Sequence, residues 1–272
     1  MVREGSSIDK TLAVLEALAE HHRVTDIAAA TGVSKSTVHR ILQSLVTWGF
    51  ARPDGLGSYE PGPRILTLAG RVMHRFDPAR QASGALRALC EATGFTTHFA
   101  IRSVDEAVYV DKQEGRRPYQ MPSRVGMSLT LHTTAIGKAI LAELGDSEVQ
   151  AISRRTGLPQ RTPNTLTSEE DLLTHLARVR ALGYAIDDEE NEPGIRCVGA
   201  AVFDHTGQVL GGISVSTLAL DMDMAGLEAS AGEVIAAARR VSAALGATEP
   251  TTVTPPMLRS GYDDPTPGLA HR

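Results

Sequence analysis

Lys35, Ser36, Thr37, His39 and Arg40 sit in the stretch VTDIAAATGVSKSTVHRILQSLVTW, residues 24–48, and their types and spacing suit contact with a polyanion. Val38, Ile41, Leu42 and Leu45 recur at the i, i+3, i+4, i+7 interval of one buried helical stripe. Lys35, Ser36, Thr37, His39, Arg40, Gln43 and Ser44 therefore fall on the outward face. Short hydroxyls and a guanidinium on the first two turns of a helix can donate to phosphates and to base edges in a DNA major groove about 12 Å wide. Arg40, a rigid planar fork, is the candidate for bidentate contact with guanine or phosphate, Ser36 and Thr37 for phosphate or bases, and Lys35 and His39 for the backbone. Amphipathic helix pairs joined by a glycine turn also occur in all-α domains that never meet DNA, so spacing alone leaves both readings open.

A second candidate lies at TTAIGKAILAEL, residues 133–144. Free backbone N–H groups and the positive end of a helix make such a start a place for a carboxylate. Lys138, inside the same helix, reads either as a ligand for an acid or as half of a structural ion pair. The run Asp187, Asp188, Glu189, Glu190 and Glu192 reads as a solvated loop rather than a metal site, because no histidine is near in sequence and a hard cation needs converging oxygens. Cys90 and Cys197 fit no metal or disulfide spacing and read as reduced thiols.

The elements around these residues follow from period and punctuation. Residues 7–21 predict a first helix that begins on a capping residue and presents Ile8, Leu12, Leu15 and Leu18, with Val14 beside them, to a core. Thr25 is placed to cap the second helix, Gly32 to end it with a left-handed residue, and Ser34 to cap the third. FARPDGLGSYEPG, residues 50–62, has an Asp-Gly turn between β-prone flanks and predicts a two-stranded wing. Residues 62–76 predict a linker helix with an apolar stripe of Ile65, Leu68 and Val72 and projecting Arg64, Arg71 and Arg75. Asp77-Pro78 breaks it, and a fresh helix runs to Thr93-Gly94. From Thr96 the period falls to two, which predicts a hairpin, then irregular chain over 115–132, then helices at 133–144, 147–156 and 168–182, the last opening on a capping box at Thr167. A second hairpin turns at His205-Thr206-Gly207, and residues 225–245 predict one long closing helix. Beyond Ala247 prolines and small polar residues dominate, which predicts a disordered tail.

At 272 residues the chain is long enough for two domains. No run approaches the ~18 apolar residues that span a bilayer, and the start lacks a secretory core, so no membrane partner and a cytoplasmic location are expected. The net charge is -5, yet residues 1–80 carry 10 basic against 8 acidic side chains and the remainder 17 against 24. So small an excess excludes a nonspecific coat for nucleic acid and suggests a reader that depends on specific contacts and on dimerisation.

A winged helix containing SKSTVHRILQSL, a linker helix, LHTTAIGKAILA, and RALGYAIDDEENEPGIRCVGAAVFDHTGQVLGGISVS, in that order, resemble the IclR family of bacterial transcriptional regulators over residues 6–244. The helix-turn-helix is shared by many regulators; the later two segments are specific in combination, with Ala201 where the family often has proline. The resemblance implies an α+β chain: a winged helix-turn-helix domain over 1–62, a linker helix over 63–77, a GAF-like α/β effector-binding and oligomerisation domain over 78–247, and the tail over 248–272. It implies a homodimer or homotetramer on a pseudo-palindromic double-stranded DNA operator, a small organic acid as effector, no cofactor and no metal. It places Ala135 and Ile136 in the effector pocket, Asp187, Cys197, Ser214 and Ser216 on its rim and floor, and Met121 as an apolar wall. Ser214 and Ser216, two apart on one strand, face the same side. Each of these also has an ordinary structural reading, since a strand serine can satisfy neighbouring backbone and a buried cysteine is usually a small hydrophobe. Two rival functions stand beside the regulator. One is an enzyme with Cys197 as nucleophile and His132 or His98 as base; the other is a ligand-independent DNA-binding oligomer.

Overall fold

The computed structural model describes residues 6–73 and 76–248, and the chain divides into two compact units, before and after Phe76. The predicted tail and Arg75 lie outside the described residues, apart from Thr248 at the tail's start.

The first unit is α1 (Ser7–Ala17), α2 (Val24–Thr31), α3 (Lys35–Thr47), β1 (Ala51–Pro53), β2 (Tyr59–Pro61) and α4 (Pro63–Met73). Its core is Val14, Leu18, Ile27, Val33, Val38, Ile41, Leu42 and Leu45, closed by Ala51 and Tyr59 from the wing. Gly32 ends α2 at φ 67°, as the tight turn requires. The predicted stripe of α3 is buried residue for residue.

The capping expectations shift. Ser6, not Ser7, caps α1, in a reciprocal box with Asp9. Thr25 lies inside α2, which starts on Arg23 without a side-chain cap; its hydroxyl donates to Asp26 instead. Ser34 does stand at the N-cap of α3, but its hydroxyl bonds the hydroxyls of Ser36 and Thr37 and no backbone N–H. The core face of α1 also differs from the expectation. Val14 and Leu18 are fully buried, while Ile8 (71% exposed) and Leu12 (53%) project outward, because the two sets lie on different sides of the helix. On α4, Leu66, Leu68 and Val72 are likewise exposed.

The second unit runs α5 (Pro78–Thr93), β3 (Thr96–Ser103), β4 (Glu106–Gln113), β5 (Ser128–Thr130), α6 (Ala135–Ala142), α7 (Asp146–Thr156), α8 (Glu169–Leu182), β6 (Ala185–Asp188), β7 (Ile195–Phe203), β8 (Val209–Leu218), α9 (Met224–Ala229) and α10 (Ala231–Ala244). The strands form one antiparallel sheet in the order β5-β4-β3-β8-β7-β6. α5 packs on β3 and β4 and against α10, which covers β7; α6 packs on β6, β7 and β8, with α8 beyond it. α6 is buried along its whole length. Its first turn lies on the sheet because β7 carries Gly199 there: a Cβ at that position would stand 3.0 Å from the Ala135 carbonyl carbon and the Ile136 nitrogen.

Two helix ends differ from expectation. α8 is capped by Ser168 with Asp171, one residue later than Thr167. The closing helix is two helices that break at Ser230, whose hydroxyl turns back to the Leu227 carbonyl.

Candidate functional site

On the first unit, Lys35, Ser36, His39 and Arg40 are exposed on α3 and Thr37 is half-buried. Lys35 and Arg40 form no ion pair among the described residues. Their charges are free to meet phosphate. The wing is tied to this face by Tyr59 of β2, whose phenol accepts from Gln43 Nε2 at 2.8 Å and whose ring meets His39 edge-on, with centroids 6.4 Å apart. The Tyr59 backbone also pairs with His22, so one wing residue fixes α3 and the α1–α2 connection together. Sequence periodicity placed Gln43 on the outward face without its partner, and no local pattern pairs it with Tyr59.

The second unit holds a cavity of about 100 Å³ whose lining includes all seven residues expected there: Met121, Ala135, Ile136, Asp187, Cys197, Ser214 and Ser216. The start of α6 is its electropositive part. Thr134 caps that helix, accepting from Gly137 N at 3.1 Å, and Lys138 N donates to the Thr134 carbonyl. The Ala135 and Ile136 N–H groups have no acceptor among the described residues. Two amide donors and the helix dipole therefore remain for an anion.

The rest of the lining mixes apolar Met121, Pro122, Met127, Leu129 and Ile195 with polar side chains. Cys197 Sγ donates to Ser216 Oγ at 3.2 Å, and burial, with Asp187 close by, pushes the thiol far up. His98 lies between Ser216 Oγ, 3.4 Å from Nδ1, and Ser123 Oγ, 2.7 Å from Nε2. Burial and the neighbouring Lys112 push it down to about 3, so it stays uncharged. Tyr109, 4.7 Å from the His98 ring, keeps its proton because burial raises its phenol. Lys112 holds the covering loop by donating to the Met121 and Ser123 carbonyls, each at 2.7 Å. His98, Tyr109, Ser123, Asn191 and Arg161 are lining residues that the sequence reading did not assign to the pocket.

The acidic run is solvated only in part, which corrects the expectation: Asp188 and Glu189 are half-buried and Glu192 is exposed, but the other two are not. Asp187 (2% exposed) and Glu190 (7%) are buried, Asp187 Oδ1 accepting from the Glu190 and Asn191 backbone. Burial raises Asp187 to about 7; Lys138 opposes the shift, Glu190 adds to it, and the two backbone donors moderate it. Lys138 is wholly buried and ion-paired to Glu190, so it is a structural cation and does not line the cavity. Among the described residues no cluster of three metal-binding side chains occurs. A raised Cys197 thiol and a His98 committed to two serines supply neither nucleophile nor base, and His132 lines a different cavity.

Comparison with known proteins agrees. The family model for the IclR helix-turn-helix domain matches residues 7–55, and that for the bacterial transcriptional regulator IclR C-terminal domain matches residues 70–243. The HTH-type transcriptional regulator XynR of Escherichia coli K12 is 37% identical over 245 residues, covering 88% of this chain and 97% of its own; KdgR of the same strain is 34% identical, covering 89% and 93%. The crystal structure of the Thermotoga maritima IclR superposes with TM-score 0.61 at 32% identity, covering 88% of this chain and 98% of its own. A putative IclR transcriptional regulator from Silicibacter sp. TM1040 gives 0.79 at 25%, covering 91% and 98%. No helix among the described residues is long and apolar enough to cross a membrane. With a helix-turn-helix unit and an α/β unit each matched by its own family model, and with relatives that are HTH-type transcriptional regulators at 34–37% identity over most of both chains, this protein belongs to the IclR family: it is a DNA-binding transcriptional regulator and not an enzyme.

Proposed function

We propose that the chain binds a pseudo-palindromic operator as a homodimer or a dimer of dimers, and that a small organic acid in the α6 cavity sets its DNA affinity. The observation that carries the effector reading is the pair of Ala135 and Ile136 amides, without an acceptor among the described residues, in the lining of a cavity that also holds hydroxyls and a carboxyl raised to about 7. A carboxylate seated on those amides leaves Ser214, Ser216, Tyr109 and Asp187 to bond the remainder of a polar ligand. The reading as a regulator of a metabolic operon is supported by the curated relatives, which are HTH-type transcriptional regulators and repressors. Dimerisation is supported by the exposed Ile8, Leu12, Leu66, Leu68 and Val72 on α1 and α4, and by the modest charge of one copy. Sedimentation of the intact chain reads that part directly, and a monomeric mass at working concentration removes it.

The effector reading is tested with Ala135→Pro. Proline fits the first helical position, and Thr134 at φ -102° and ψ 149° already has the backbone that precedes proline, so the helix survives while one donor is lost. Calorimetric titration with a panel of small carboxylates finds a binder for the parent chain, and the variant binds it about tenfold to a hundredfold more weakly, the worth of one hydrogen bond to a charged group. Equal affinity in both chains overturns the seat. A carboxylate that binds without changing operator affinity favours the ligand-independent oligomer.

A further inference from the structure

A second cavity in the same domain, of about 210 Å³, shares Ser128, Leu129, Thr130 and Arg161 with the effector cavity and is otherwise walled by different residues. Leu129, Leu131, Leu141, Ile152, Leu158 and Leu172 supply its apolar surface. An engineered cavity of about 150 Å³ lined by such side chains stays dry and takes up benzene, so this volume suits a single-ring molecule.

The lining also carries polar side chains, among which His132 is the buried imidazole. His132 is 4% exposed, and its Nε2 stands 3.3 Å from the Pro159 carbonyl oxygen. A carbonyl only accepts, so the ring proton belongs on Nε2. Burial holds the imidazole below its ordinary value, which keeps it neutral and leaves Nδ1 as a lone-pair acceptor. No donor among the described residues meets Nδ1. Of the charged lining residues, Asp105 is held by Arg155 through two hydrogen bonds at 2.7 and 2.8 Å, Arg161 Nε donates to the Asn191 carbonyl at 3.2 Å, and Glu106 and Arg161 carry opposite formal charges. A lining without net charge beyond the Asp105–Arg155 pair, with a buried imidazole acceptor, selects differently from the electropositive seat at α6.

We propose that this cavity is a second small-molecule site, which takes an uncharged, mainly apolar molecule of single-ring size with one hydroxyl donor directed at His132 Nδ1. The site uses no part of the carboxylate seat and stands whether or not that reading holds. Apolar burial supplies most of the affinity and the hydroxyl supplies orientation.

Fluorine NMR titration of the full chain with 4-fluorophenol, 4-fluorotoluene and 4-fluorobenzoate tests it. The phenol saturates one site per chain and binds about tenfold more tightly than the toluene, as one neutral hydrogen bond allows. His132→Phe brings the two together. Leu158→Trp fills the cavity and removes phenol binding, while Met121→Trp, in the effector cavity, leaves it intact. Circular dichroism checks each fold; if Leu158→Trp is unfolded, Ser153→Phe serves as the filling variant. No saturable phenol binding in the millimolar range overturns the proposal. Loss of phenol in Met121→Trp with retention in Leu158→Trp overturns it too, by placing the probe in the effector cavity, and preferential binding of the benzoate contradicts the neutral character of the site.

Discussion

α3 and α6 both start from a hydroxyl residue at the N-cap, Ser34 and Thr134, yet the fold treats them in opposite ways. α3 keeps Lys35, Ser36, His39 and Arg40 in solvent, spends the Ser34 hydroxyl on other side chains and leaves its cations unpaired. α6 is buried end to end, its cap is spent on Gly137, and its one cation is locked to Glu190. A duplex brings its own dense charge, so its reader needs only a rigid exposed face. A small acid brings little, so its site must be assembled beforehand from β3, α6, β6, β7, β8 and a loop. The difference teaches where damage will travel: along α3 it stays local, and beneath α6 it spreads.

Lys138→Ala tests that contrast most severely. It leaves Glu190, already 7% exposed with Oε2 unpartnered, as a buried carboxylate without its cation. The expected cost to the 77–248 unit is about 3–5 kcal/mol, read by denaturant titration, and Lys138→Met with Glu190→Leu recovers much of it. A loss under about 1 kcal/mol would show that α6 is as forgiving as α3. Arg40→Ala is its counterpart on the exposed side. Operator affinity falls by about 1–3 kcal/mol per half-site, the worth of a bidentate base contact, with unchanged melting temperature and mass. Unchanged affinity in a gel-shift assay with a cognate operator removes Arg40 from the contact.

The buried acid adds a pH dependence on the α6 side of the comparison. Asp187 is raised in the folded state, so its contribution favours folding at low pH and is lost progressively as pH climbs from the ordinary carboxylate range to about 7. Glu190 is raised by burial as well and adds in the same sense. Above about pH 7 the Asp187 carboxylate also repels an acid seated on α6. Effector affinity in the parent chain is expected to fall by up to about tenfold per pH unit there, while Asp187→Asn, neutral throughout, flattens the curve. A profile of equal slope in both chains assigns the pH dependence elsewhere. His98, held near 3, takes no part.

These two regions also differ in how far the sequence disclosed them. The face of α3 follows from its own period, and Val38, Ile41, Leu42 and Leu45 were enough to orient Arg40. α1 defeats the same logic, because Ile8 and Leu12 are as apolar as Val14 yet stand exposed on another side of the helix. In the cavity, Ser214 and Ser216 could be paired by strand alternation, but Asp187 and Cys197 meet through strand pairing that no local pattern encodes. Family resemblance supplied that part. Burial of Glu190 escaped it, since a run of five carboxylates reads as solvated until Lys138 is found beneath it. His98 and Tyr109 looked like ordinary strand residues because their role depends on a loop, held by Lys112, that has no regular structure.

Tyr59→Phe is the smallest perturbation and the finest probe of how rigid the exposed side must be. It removes only the phenol that accepts from Gln43, at 2.8 Å and partly shielded from water, and keeps the ring against His39 and the core. The stability cost is about 0.5–1.5 kcal/mol, measured by thermal or denaturant unfolding of the first unit. Freed from the wing, Gln43 gains rotamers and the β1–β2 ribbon keeps its anchor through the His22 backbone, so operator affinity falls by less than for Arg40→Ala. If affinity instead falls as far as for Arg40→Ala while stability holds, the wing, and not the helix face alone, sets the approach to DNA. α3 would then share the dependence on distant tethers that marks α6.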